Sequence, residues 1–226
     1  MKIAVLGTGI AGPTVAVALS ALGHDVVIGT RDPQATLART EPGAPGGAPF
    51  AAWHAVHSRI DVATFAEAAA RADLVINATN GAGSLEALTA AGAQNLAGKV
   101  LMDIANPLDF SHGFPPSLNP VNTDSLGEQI QRAFPGVRVV KTLNTMAASV
   151  MVDPASVAGG EHSVFMSGND AAAKEIVSGL LAGLGHRDII DLGGISTARG
   201  AEMLLPVWLR LWGAFGHADF NFKVAR

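Results

Sequence analysis

The residues whose types and spacing first suggest chemistry are the glycines of the run Gly7-Thr8-Gly9-Ile10-Ala11-Gly12. An apolar segment precedes the run, and apolar residues at helical spacing and a second apolar segment follow it. Strand, glycine turn, helix and strand within about thirty residues are typical of a dinucleotide-binding unit. Gly7 would permit the tight turn, and Gly9 would let a pyrophosphate approach the backbone. Gly12 would let the helix pack closely on the strand, and the amides at the start of the helix would bind the phosphates. The alternative is a glycine-rich turn that binds no nucleotide.

The residues that end the second apolar segment, Gly29-Thr30-Arg31-Asp32, indicate which dinucleotide would bind. A site that prefers NAD usually places an acidic residue there, against the ribose 2′-hydroxyl. Here a hydroxyl at Thr30 and a guanidinium at Arg31 suit a 2′-phosphate. We expect Asp32 to lie one step beyond the strand, beside Pro33, and to face solvent. The pattern therefore favours NADP over NAD, and the alternative for Arg31 is a solvated loop charge.

Three further strand ends carry small or polar residues. They are Ala78-Thr79-Asn80, Ala105-Asn106-Pro107 and Asn144-Thr145-Met146. Each alone is only a turn signal. Ligands of parallel sheets bind beyond the carboxyl ends of the strands, so as a set these residues are predicted to contact the ribose, pyrophosphate and nicotinamide of the cofactor.

Strand and helix patterns alternate along most of the chain, which predicts an α/β fold with a doubly wound parallel sheet of Rossmann type. After Met146 the pattern changes to strand, helix, strand and a final helix that begins near Ser196. We therefore predict two units: residues 1–145 as the NADP-binding Rossmann domain and residues 146–226 as a smaller α/β C-terminal extension.

Composition narrows the classes of partner. The chain has 226 residues, 49% of them hydrophobic, and 15 Lys and Arg against 19 Asp and Glu, with no basic run, so neither nucleic acid nor an anionic membrane is an expected partner. It has no cysteine, which excludes thiol catalysis and thiolate metal sites.

His54 and His57 lack a third ligand nearby, so no metal site is predicted. The chain begins directly with a predicted strand, which favours the cytoplasm.

The apolar run 203–215 is too short to span a bilayer and is interrupted by Pro206 and Arg210. A helix that is apolar nearly all round is usually buried. We interpret this one as a subunit-interface helix, which predicts a homodimer. The alternative is a helix buried within its own subunit.

The whole chain resembles the NADP oxidoreductases that depend on the deazaflavin coenzyme F420. Besides the glycine run and Gly29-Thr30-Arg31, the resemblance rests on residues 139–145, 167–170, 196–202 and 220–223. It implies hydride transfer between NADPH and the deazaflavin, which lie face to face in a cleft between a Rossmann domain and the smaller C-terminal domain, and dimers formed through the C-terminal part.

The resemblance also implies roles for individual residues. Asn144 and Thr145 would be the catalytic positions that orient the nicotinamide or the acceptor ring. The acceptor would be bound by Met146, Ala147, Ser196 and Leu205. The chain departs from the family pattern at Asn144, where members have a histidine, and at Leu205, where they have a threonine. It also has a longer loop between Pro33 and Ile60.

Other functions stay open at this point. A short-chain dehydrogenase is excluded because the chain has no tyrosine to act as general acid. An NADPH-dependent reductase of another flavin-like, carbonyl or imine acceptor would need a proton donor, and Lys141 is the best candidate. A non-catalytic redox sensor that binds NADP is a third possibility. Arg199 and Glu202, three residues apart, are predicted to form an ion pair within one helix.

Overall fold

The strands of the chain belong to one large sheet and one short hairpin. The structure, a computed structural model, describes residues 1–43 and 47–226, so residues 44–46 of the longer loop lie outside the described residues. In chain order the strands are β1 (Lys2–Leu6), β2 (Asp25–Thr30), β3 (Asp61–Thr64), β4 (Leu74–Asn77), β5 (Val100–Asp103), β6 (Leu108–Asp109), β7 (Ser117–Leu118), β8 (Arg138–Thr142), β9 (Ser163–Gly168) and β10 (Asp188–Gly193).

The large sheet has the strand order β10-β9-β8-β5-β4-β1-β2-β3. All neighbouring pairs are parallel except β8 and β9, which are antiparallel. The chain moves outward from β1 through β2 to β3 and then crosses back to β4 on the other side of β1. This is the doubly wound topology predicted from the alternating pattern, with its switch point between β1 and β4.

Helices cover both faces of the sheet. In chain order they are α1 (Ala11–Ala21), α2 (Pro33–Leu37), α3 (Phe50–Val56), α4 (Phe65–Arg71), α5 (Gly81–Ala91), α6 (Ala93–Leu96), α7 (Leu126–Ala133), α8 (Ala148–Val152), α9 (Ala171–Gly183), α10 (Ala198–Glu202) and α11 (Leu205–Phe215). Apolar residues of α1, α8 and α9 form a core with one face of the sheet, and those of α4, α5 and α7 form a second core with the other.

Burial explains why the central strands read as continuous apolar runs. Residues 3–6 of β1 are fully buried, because the strand has neighbours on both edges and helices on both faces. Val5 lies opposite Ile28 of β2 and Ile76 of β4. The central strand therefore has no side exposed to solvent, and a ligand can contact its backbone only beyond its carboxyl end.

The C-terminal extension shares the large sheet. Its strands β9 and β10 continue the sheet beyond β8, and its final segment lies along β9, where the Ser163 amide donates to the Phe222 carbonyl at 2.9 Å. The domain boundary at residue 145 stays a prediction. Within the part of the chain that is described, none of the helices combines the length and apolarity needed to cross a bilayer.

Candidate active site

The carboxyl ends of β1, β2, β4, β5 and β8 meet at one edge of the sheet, at and beside the switch point. The predicted site residues through Met146 lie at this edge or in the first turns after it. Because sheet order brings these ends together, segments far apart in sequence become neighbours there. In open α/β sheets, ligands bind in the crevice at this edge, beyond the carboxyl ends of the strands.

The glycine turn between β1 and α1 has the geometry that the sequence predicted. Gly7 has a φ of 126°, a conformation that L side chains rarely adopt, and its amide donates to the Gly29 carbonyl at 3.0 Å. A Cβ at Gly12 would overlap the Gly7 carbonyl oxygen, so close packing of helix on turn requires glycine. At Gly9, by contrast, a Cβ would meet nothing within 4 Å among residues 1–43 and 47–226. Packing against these residues does not require a glycine at this position.

The start of α1 lies open beside Gly9. Ile10, which precedes the helix, has 44% of its surface exposed, and Ala11 is the first helical residue. Free amides at a helix N-terminus and its partial positive charge favour anions. The open space at Gly9 therefore fits a phosphate group.

A cavity of about 350 Å³ extends from this turn to the end of β2. Its lining includes Thr8, Thr30, Arg31 and Asp32. The Thr30 side chain is buried, and its hydroxyl shares a hydrogen bond of 2.8 Å with the Thr36 hydroxyl. Arg31 is largely exposed, with its guanidinium 3.9 Å from the Glu86 carboxylate.

Asp32 is exposed, in agreement with the sequence analysis. Its carboxylate accepts a hydrogen bond from the Ala35 amide at 3.0 Å, so it caps the first turn of α2. This contact gives Asp32 a structural role as the residue that caps α2.

Arg39, which no sequence pattern indicated, also lines this cavity. Its guanidinium donates to the Thr8 carbonyl at 2.9 Å and to the Thr8 hydroxyl at 3.3 Å. It also lies over the Phe50 ring, 5.6 Å from the ring centroid. No motif marks Arg39, because only the folding of the segment after α2 back onto the glycine turn brings it there.

The remaining strand ends hold polar side chains that bond to one another. The Thr79 hydroxyl donates to Asn77 Oδ1 at 2.6 Å, while Asn80 caps α5 through the Ala82 amide at 3.2 Å. Ala78 follows β4, and its amide donates to the Leu6 carbonyl at 2.9 Å.

Asn106 and Asn144 form a reciprocal pair. Asn106 Nδ2 donates to the Asn144 carbonyl at 2.8 Å, and Asn144 Nδ2 donates to Asn106 Oδ1 at 3.0 Å. Asn144 Nδ2 also donates to the Ala201 carbonyl at 3.2 Å. Leu143, which precedes Asn144, has a φ of 58°, a strained conformation for a bulky side chain. The strained turn directs Asn144 toward both β5 and α10.

A buried group of three charges lies beneath this edge. Lys141 Nζ is 2.9 Å from Asp103 Oδ2 and 3.0 Å from Glu202 Oε1, and it also donates to the Ala105 carbonyl. Burial alone would lower the pKa of Lys141, but the Asp103 and Glu202 carboxylates outweigh burial and hold that pKa above its usual value. Lys141 thus stays protonated and fully buried, which argues against it as the proton donor considered from sequence.

The ion pair predicted between Arg199 and Glu202 is wrong. The Glu202 carboxylate accepts from the Leu126 amide at 2.9 Å and contacts Lys141, while Arg199 forms a bidentate pair with Glu128 at 2.6 and 2.7 Å. The Arg199 guanidinium holds the pKa of the Glu128 carboxyl below its usual value. Both side chains of α10 therefore bind the start of α7 or the strand beneath it, rather than each other.

The residues predicted to bind the acceptor follow β8 or begin the last helices. Met146 and Thr145 are buried beside Asn144, and Ala147 is half-buried before α8. Ser196 is exposed in the turn before α10, and Leu205 is the buried first residue of α11.

A groove of about 430 Å³ lies between the β6–β7 hairpin and α11. Its walls include Leu118, Pro206 and Leu209, with the guanidinium of Arg210 as its cation. The hairpin is held against the edge of the sheet where the strand ends meet, because the Asn119 amide donates to the Pro107 carbonyl at 2.8 Å. The first turns of α11 therefore face a groove that adjoins the edge. Across residues 1–43 and 47–226, no cluster of three or more His, Asp or Glu side chains could hold a metal ion.

Comparisons with known proteins indicate the family of the chain. A family profile described as NADP oxidoreductase, coenzyme F420-dependent, matches residues 2–107. A solved structure from Arthrobacter sp. FB24, described as a candidate F420-dependent NADP reductase, is 70% identical over the full length of both chains with a TM-score of 0.95.

More distant relatives share part of their length with the chain. Metalloreductase STEAP3 of Rattus norvegicus is 26% identical over 211 residues, and the match covers 92% of this chain but 38% of that protein. An imine reductase from Aspergillus terreus, solved with NADPH4 and dibenz[c,e]azepine, superposes with a TM-score of 0.63 at 18% identity, covering 95% of this chain and 62% of the other. This last likeness shows the fold alone. The 70% identity to the Arthrobacter protein over the full length of both chains, together with the profile match over residues 2–107, shows that the chain belongs to the F420-dependent NADP oxidoreductase family and is an NADP-dependent oxidoreductase.

Proposed function

We propose that the chain transfers hydride between NADPH and the deazaflavin coenzyme F420. The observation that carries the proposal is the open face of the glycine turn, where a Cβ at Gly9 would meet nothing within 4 Å among the described residues, beside the free amides of α1. A glycine that packing against these residues does not require is explained by a ligand that approaches the backbone closely. The description of the matching family, which is coenzyme F420-dependent, supports F420 as the acceptor.

The cofactor would lie across the switch point. The turn at residues 7–12 would bind the pyrophosphate, and Thr30 and Arg31 the 2′-phosphate. Residues 78–80 and 105–107 would contact the ribose and nicotinamide end. This assignment follows the sequence prediction, and the shared edge of the sheet supports it.

Asn144 would orient the nicotinamide. Both hydrogens of its amide are used, by Asn106 Oδ1 and by the Ala201 carbonyl. Its Oδ1 is therefore the atom left to accept a hydrogen bond from the carboxamide of the ring. Thr145 and Met146, buried beside it, would exclude water from the reacting face.

The acceptor would enter from the side of α11, past Ala147, Ser196 and Leu205. Apolar walls at Leu118 and Leu209 and a cation at Arg210 suit a flat ring that carries an anionic tail. Bound NADPH supplies the hydride. The chain's own residues would hold the two rings against each other and keep water out, which is how positioning accelerates such a transfer.

The direct test is anaerobic stopped-flow mixing of the protein and NADPH with F420, followed by the deazaflavin absorbance. We expect fast bleaching with NADPH and little with NADH. NADPH binding without bleaching would contradict F420 as acceptor. A reductase of another flavin-like, carbonyl or imine compound, or a redox sensor, would then be the better interpretation.

Variants at the carboxyl edge of the sheet distinguish an enzyme from a redox sensor, because a sensor has no turnover to lose. Asn144→Ala and Thr145→Ala should lower kcat about a hundredfold because misplaced rings react slowly, while NADPH affinity changes little. Thr89→Ala is the matched control, since the Thr89 hydroxyl bonds only within its own helix, to the Leu85 carbonyl. Equal kcat values in all three variants would contradict the positioning role.

The homodimer predicted from sequence stays a proposal, with α11 as its interface. Leu205 is the buried residue of this helix, whereas Val207, Trp212 and Phe215 are 50%, 38% and 53% exposed. An exposed apolar face of this kind favours association with a second copy of the chain. The helix is not buried in its own subunit, which was the alternative. Action in the cytoplasm likewise stays a prediction.

A further inference from the structure

A second arginine of the cofactor cavity carries an inference beyond this assignment. Arg39 lines the same cavity as Thr30 and Arg31, yet it lies nine residues past the strand end. The guanidinium is held by Thr8 on one side and by the Phe50 ring on the other. Backbone contacts hold this segment too, since the Ala51 amide donates to the Arg39 carbonyl at 3.1 Å. The charge is therefore fixed in place before any ligand binds.

We propose that Arg39 is a specificity-determining residue whose guanidinium binds the 2′-phosphate of NADP(H) together with Arg31. The proposal rests on the cofactor assignment made above. A guanidinium has five N–H donors, and Thr8 takes two of them, one from each terminal nitrogen. One further hydrogen remains on each terminal nitrogen, so the guanidinium can still donate a charge-assisted hydrogen bond to a phosphate oxygen.

The charges around the cavity explain why a second cation is needed. Arg31 is exposed and lies 3.9 Å from the Glu86 carboxylate, and Asp32 adds a second negative charge at the strand end. A doubly charged phosphate would meet two carboxylates and one exposed guanidinium if Arg39 were absent. Arg39 balances the second carboxylate, and because it is already ordered it loses little side-chain entropy on binding.

A purely structural role for Arg39 would have a different consequence. If the guanidinium served only to hold Thr8, its loss would disturb the glycine turn, which all dinucleotides share. NADP and NAD would then lose affinity equally. Discrimination between the two nucleotides is therefore the property that separates a phosphate ligand from a support for the turn.

The experiment is isothermal titration of the protein with NADP+ and with NAD+, without an acceptor. Arg39→Ala should weaken NADP+ binding about tenfold or more and NAD+ binding less than about threefold, the loss expected for a charge-assisted hydrogen bond. Arg59→Ala, an exposed arginine of the same segment, is the matched control and should change neither. Arg39→Lys keeps the charge without the fork, and its NADP+ affinity should lie between those of wild type and Arg39→Ala.

Equal losses for the two nucleotides would overturn the proposal, and so would an unchanged ratio of the two affinities. If Arg39→Ala fails to fold, the Arg39→Lys ratio decides the question, supported by titration of wild type and Arg39→Lys with 2′,5′-ADP and with 5′-AMP. The lysine variant should lose affinity for 2′,5′-ADP only. Failure of F420 reduction would leave these titrations unaffected, so the two proposals fail separately.

Discussion

Replacement of Lys141 by methionine is expected to lower the free energy of unfolding by about 3–5 kcal/mol, the cost of breaking a buried ion pair from one side. The Lys141 side chain is fully buried, and the side chains of Asp103 and Glu202, both within 3.0 Å of its Nζ, are 0% and 3% exposed. Its loss leaves two buried carboxylates together without their cation. Other donors, among them Asn77 Nδ2 at 2.8 Å, still contact Asp103, which keeps the cost within this range.

The assay is urea unfolding followed by circular dichroism, with the m-value compared to confirm that the change lies in stability. Lys174→Met is the matched control, because Lys174 pairs with Asp191 at the surface and should contribute about 1 kcal/mol or less. Lys141→Met combined with Glu202→Gln should be less destabilised than the sum of the two single variants, since the second change removes a stranded charge. A loss below about 1 kcal/mol in Lys141→Met, or strict additivity, would refute the reasoning.

Four further outcomes are expected. Gly12→Ala should lower the urea midpoint, because its Cβ overlaps the Gly7 carbonyl, whereas Gly9→Ala should fold normally but bind NADPH far more weakly in a titration. Burial lowers the pKa of His186 in the folded protein. Its contribution to the free energy of unfolding is therefore fully present above the unfolded pKa of about 6.5, and it is lost as the pH drops toward the folded pKa. In urea melts at a series of pH values, His186→Gln should flatten this dependence. Trp212→Asp should shift the protein to a monomer in analytical ultracentrifugation, and a monomeric wild type would contradict the interface.

Local patterns were enough to predict the glycine turn, the strand ends and the doubly wound sheet. The glycine spacing, the apolar runs and the alternation of strand and helix are properties of neighbouring residues, and the sheet follows from them once parallel order is assumed. The same logic located Asn106 and Asn144 at one edge, where they bond to each other. The sequence did not indicate that this pair also reaches α10.

Long-range partners could not be predicted in the same way. Arg199 and Glu202 are three residues apart, which suggested an ion pair, but Glu128 and Lys141 compete for them from 71 and 61 residues away. The side chains of Glu128, Lys141 and Glu202 are 9%, 0% and 3% exposed, and an unpaired charge at a buried position is costly, so these groups bind the nearest opposite charge. Local spacing is thus a weak guide wherever charges are buried.

The same contacts join the parts of the sheet edge that we propose for cofactor and acceptor. Asn144 bridges Asn106 and the Ala201 carbonyl, and Lys141 connects Asp103 of β5 with Glu202 of α10 in the layer beneath. A displacement of α10 should therefore also move the strand ends proposed to contact the nicotinamide. Leu209 lines the groove and is not a member of either bridge, so its replacement should alter the choice of acceptor while the hydrogen bonds of Asn144 and the ion pairs of Lys141 stay in place.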